Sequence, residues 1–79
     1  MAETNVVSPR EELWRRMRAV QQRQADLREL RAWIEGRSAA RQEHGSPPLG
    51  HDEAFLEGTK PIMEWLEAEI AAVEKLLGS

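Results

Sequence analysis

Two histidines, His44 and His51, bracket a segment rich in proline and glycine and stand next to Asp52 and Glu53. Imidazoles and carboxylates are the ligand types of a zinc site. Paired histidine ligands on a helix are spaced three or four apart, however, and zinc needs three or four converging groups. A gap of seven across Pro47-Pro48 does not converge, so these side chains read as polar loop residues and no metal is expected. The paired carboxylates Glu11/Glu12, Asp52/Glu53 and Glu67/Glu69 could exchange protons with a substrate only inside a cleft that shifts their pKa values. A chain of 79 residues has little room for one. Ser8, Ser38, Ser46 and Thr59 have no partner base, and no glycine-rich phosphate loop follows a strand. No catalytic residue and no cofactor is expected, so the sequence reads as non-enzymatic.

The basic residues call for a second test. Arg15, Arg16, Arg18, Arg23, Arg28 and Arg31 point around their helix instead of along one side, and the net charge is −3. A nucleic-acid reader concentrates its basic face, so nucleic acid is not an expected partner. Neither is a membrane. No apolar run reaches the ~18 residues of a spanning helix, the start MAETNVVSPREE has no signal-peptide pattern, and the more apolar helix is the acidic one. A cytoplasmic protein is expected, and the preference for arginine over lysine suggests a bacterial or phage origin.

Three tryptophans in so short a chain are the unusual chemistry. Tryptophan buries a large area, carries one donor and is enriched at binding hot spots. Trp65 falls within an apolar arc. Trp14 and Trp33 fall at or off the edge of theirs, where either a second copy of the chain or a different protein would cover them.

These residues must be positioned by helices. Residues 1–7 lack periodicity and read as an N-terminal arm; 8–79 reads as one domain. Ser8-Pro9-Arg10-Glu11 combines a capping serine, a proline at the first helical position and a glutamate that can reach back. Helix A, about 9–41, then carries Leu13, Met17, Val20, Gln24, Leu27, Leu30 or Arg31, and Ile34 on one face. Gly36 could end it with a left-handed cap; continuation is favoured, because stopping there leaves an unusually long connection. His44 to His51 is a loop. Asp52 can cap helix B, about 52–77, which should be kinked or briefly broken near Pro61. Phe55, Ile62, Leu66, Ile70, Val73 and Leu77 form its stripe, with Trp65, Ala72 and Leu76 on one side and Met63 on the other. That arc spans about half the circumference, wider than the ~100° of an ordinary surface helix.

A short loop makes the helices antiparallel neighbours. Pairing around its centre sets Leu27 near Leu66, Val20 near Val73, and Met17 near Leu76 or Leu77. Gln24 then faces Glu69, unless both sit at stripe edges and reach water. From Arg10 to Arg41 there are nine arginines against five acids; from Asp52 to Leu77 there are seven acids against two lysines. Opposite fields favour packing A against B. Leu13 and Trp14 should overhang the end of helix B and want cover.

The expected fold is therefore all-α: an antiparallel helical hairpin that dimerises into a four-helix bundle. Leu13, Met17, Ile62, Trp65 and Leu76 are expected at the dimer interface. Leu30, Trp33, Arg37 and Trp14 are expected to contact another protein, making the chain an adaptor, regulator or inhibitor. The alternatives are a dimer that holds a small apolar ligand as a sensor, and an obligate structural subunit of a larger complex.

Overall fold

The computed structural model describes residues 8–78. The expected arm, residues 1–7, lies outside the described residues. Two helices, α1 (Pro9–Glu43) and α2 (Gly50–Leu77), pack against each other as an antiparallel hairpin. No helix among the described residues is long and apolar enough to cross a membrane.

Helix α1 starts as its sequence dictates. The Ser8 hydroxyl accepts from the Glu11 N–H at 3.1 Å, and Pro9 opens the first turn. The helix runs straight through Gly36 and ends later, at a Schellman motif. Gly45 takes φ +75° and donates its N–H to the Gln42 carbonyl at 3.0 Å, and the Ser46 N–H reaches the Arg41 carbonyl at 2.8 Å. The left-handed cap is therefore at Gly45, where a side chain would strain the backbone. Arg41 ties down the return path by donating from Nε to the Pro47 carbonyl.

Helix α2 departs from expectation at Asp52, and of the two alternatives at Pro61, a kink or a brief break, the break is absent. Asp52 is not the cap: Leu49 occupies that position without a side-chain bond, and Asp52 is the third helical residue. Its carboxylate is engaged elsewhere, across the hairpin. Nor does Pro61 break the helix, which is continuous from Gly50 to Leu77. Proline withholds a donor from the carbonyl four residues back, but here that residue, Glu57, is exposed to water. The preceding turn is held by side-chain donors. The Thr59 hydroxyl donates to the Phe55 carbonyl at 2.7 Å, and Arg31 Nη1 donates to the Leu56 carbonyl at 2.7 Å.

The seam between the helices changes character along its length. Toward the free ends it buries Met17, Val20, Leu66 and Val73; toward the loop it buries Ile34 together with Asp52 and Thr59. The two polar residues are satisfied by α1, Asp52 by Arg37 and Thr59 by Arg31. These bonds set the register. Glu69 accepts from Arg16, not from Gln24, and Val20 lines a groove together with Leu66 and Glu69. The helices thus slide by about one turn from the expected pairing. With Arg16 opposite Glu69, Leu76 comes level with the first turn of α1, so the expected overhang of Leu13 and Trp14 is absent. The shift follows from two polar contacts that the apolar pattern alone does not contain.

Gly36 and Gly45 give a matched test of this chain path. A Cβ at Gly36 meets nothing within 4 Å, so Gly36→Ala should raise stability by about 1 kcal/mol through helix propensity. Gly45→Ala places a side chain at positive φ and should lower stability by about 1–2 kcal/mol. Urea titrations followed by far-UV circular dichroism at equal concentrations should move the midpoint in opposite directions.

Candidate functional site

Six large apolar side chains remain between 45% and 61% exposed: Trp14, Leu30, Trp33, Ile62, Trp65 and Leu76. Five of them share a geometric rule. Leu30 and Trp33 lie four and one positions before buried Ile34, Ile62 and Trp65 lie four and one before buried Leu66, and Leu76 lies one before half-buried Leu77. Each therefore occupies the same flank of its helix, about 40–100° from the seam. An antiparallel pair has an approximate two-fold axis normal to its plane, so the same flank of both helices projects on the same side. The grooves between the helices agree. One is lined by Ala19 and Arg23 of α1 with Trp65 and Glu69 of α2. The groove on the opposite side is lined by Arg31, Glu35, Glu53, Leu56, Glu57 and Lys60. One side of the hairpin thus gathers five exposed apolar side chains, spread over about 30 Å from Trp33 to Leu76 at 1.5 Å per residue and interrupted by Arg23 and the Arg16–Glu69 ion pair, whereas the opposite groove is lined almost wholly by charged residues.

Trp33 stands at the loop end of the apolar side. The Arg37 guanidinium lies 4.7 Å from the centroid of its ring. The same guanidinium grips Asp52 with two bonds, one from Nε at 3.0 Å and one from Nη2. Asp52 is 1% exposed. Hydrogen bonds from Arg37 hold its carboxyl below the ordinary carboxylate range, against the opposing effect of burial and with help from the charge of Arg37. His51 Nε2 is 3.4 Å from Asp52 Oδ1. The chain of contacts Asp52–Arg37–Trp33 joins the buried seam to the exposed side and limits how the indole can turn.

The residues singled out from sequence fall as follows. Ile62, Trp65 and Leu76, expected at a dimer interface, and Leu30 and Trp33, expected to contact another protein, lie on the same side of the hairpin. Met17 is buried inside the hairpin and Leu13 is half-buried. Trp14 stands apart, beside Glu11, Arg15 and Arg18 on the outer side of α1. Arg37 is half-buried and committed to Asp52 and Trp33. Among the described residues, no three His, Cys, Asp or Glu side chains converge as a metal cluster.

Sequence reasoning missed the Arg31–Thr59 and Arg37–Asp52 contacts. A signal was present. Asp52, Thr59, Leu66 and Val73 recur every seven residues, as do Val20, Leu27 and Ile34, which is the repeat of a coiled-coil seam.

The Asp52 contact sets a pH dependence with a definite sign. A carboxyl whose folded pKa is depressed stabilises the fold above its unfolded value, near 3.9, and that contribution is lost as pH falls through the folded value. Asp52→Asn should therefore be less stable than the parent at pH 6, and the gap between them should close on acidification below about pH 4. Denaturant titrations of both proteins across that range measure it. No protein-family model, curated protein or solved structure matches this chain.

Proposed function

We infer that this protein is a non-enzymatic protein–protein interaction module, an adaptor, regulator or inhibitor that works by burying one side of its hairpin against another helical surface. The observation that carries this is the gathering of Leu30, Trp33, Ile62, Trp65 and Leu76 on a single side, each about half exposed. Large apolar side chains gathered on one side mark an interaction site, and helix faces that present residues at spacings of three and four are read by grooves between other helices. Two of the five are tryptophans, the residue most enriched where binding energy concentrates.

The size of the hairpin supports the same reading. Its fully buried apolar core is Met17, Val20, Ile34, Leu66 and Val73. Small chains with so little core ordinarily gain stability from a disulfide, a metal or a partner, and this one has no cysteine. Where no other protein is bound, a homodimeric four-helix bundle is the simplest assembly that covers the same side.

Trp65→Ala separates this function from a structural role. Trp65 is 55% exposed, so a truncated monomer should lose only about 0.5 kcal/mol or less. Helix content by circular dichroism should stay unchanged, while affinity capture with the tagged protein from its own cells should lose the chains that the parent retains. Equal capture by parent and variant would overturn the reading.

A further inference from the structure

We draw no further inference here: the strongest candidate, the apolar surface patch formed by Leu30 and Trp33 of α1 with Ile62, Trp65 and Leu76 of α2, belongs to the site already described, and nothing in the structure shows what covers it.

Discussion

A hairpin of two helices has one seam, and each helix can hide little more than about 100° of its circumference in it. Helix α2 carries apolar residues over about twice that arc. Whichever half faces α1, the other half must face outward. In this protein the half turned inward runs through Met63, Leu66, Ile70, Val73 and Leu77, and the half left outside runs through Ile62, Trp65 and Leu76. The exposed side is therefore a consequence of geometry plus composition. It does not require any local strain or disorder to explain it.

What selects the inward half is the polar part of the seam. Arg37 and Asp52, and Arg31 with Thr59, engage only when α2 is rotated to place positions 52 and 59 toward α1. A buried ion pair is a weak source of stability, because desolvation offsets much of the attraction, but it discriminates strongly between alignments. Sliding α2 along α1 would leave Asp52 buried without its partner, which is far costlier than losing one apolar contact. The loop-end contacts thus act as a register device, and the apolar contacts toward the free ends follow from the alignment they impose.

Much of this was legible in the residues. Ser8-Pro9 located the start of α1, the loop length argued that α1 passes Gly36, and the width of the apolar arc on α2 implied surface left over. The end of α1 was less legible, because Gly36 and Gly45 look alike as letters and only the Schellman bonds distinguish them. The register was not legible. An apolar stripe constrains which face packs but tolerates a slide of one turn, since positions three and four apart stay on the same face. The information that decides the slide sits in Arg16, Arg31, Arg37, Asp52, Thr59 and Glu69, side chains that a hydropathy pattern treats as surface. The same blindness split Leu30 and Trp33 from Ile62 and Trp65, because their common side appears only once the helices are aligned.

The choice of what to bury also bears on what the chain is for. A hairpin selected only for its own stability would place Ile62 in the seam and leave Asp52 and Thr59 to water, because burying apolar area stabilises by roughly 25 cal/mol per Å² and burying a carboxylate carries a desolvation cost. The opposite arrangement is found: Asp52 is 1% exposed while Trp65 is 55% exposed. Such an inversion is intelligible if the hairpin is not the final unit. In an assembly that covers the apolar side, Ile62, Trp65, Leu30 and Trp33 become interior, and the Arg37–Asp52 pair holds both the alignment of the helices and the orientation of Trp33 within it. The polar seam would then be the part of the fold that keeps the binding side in shape before anything binds there.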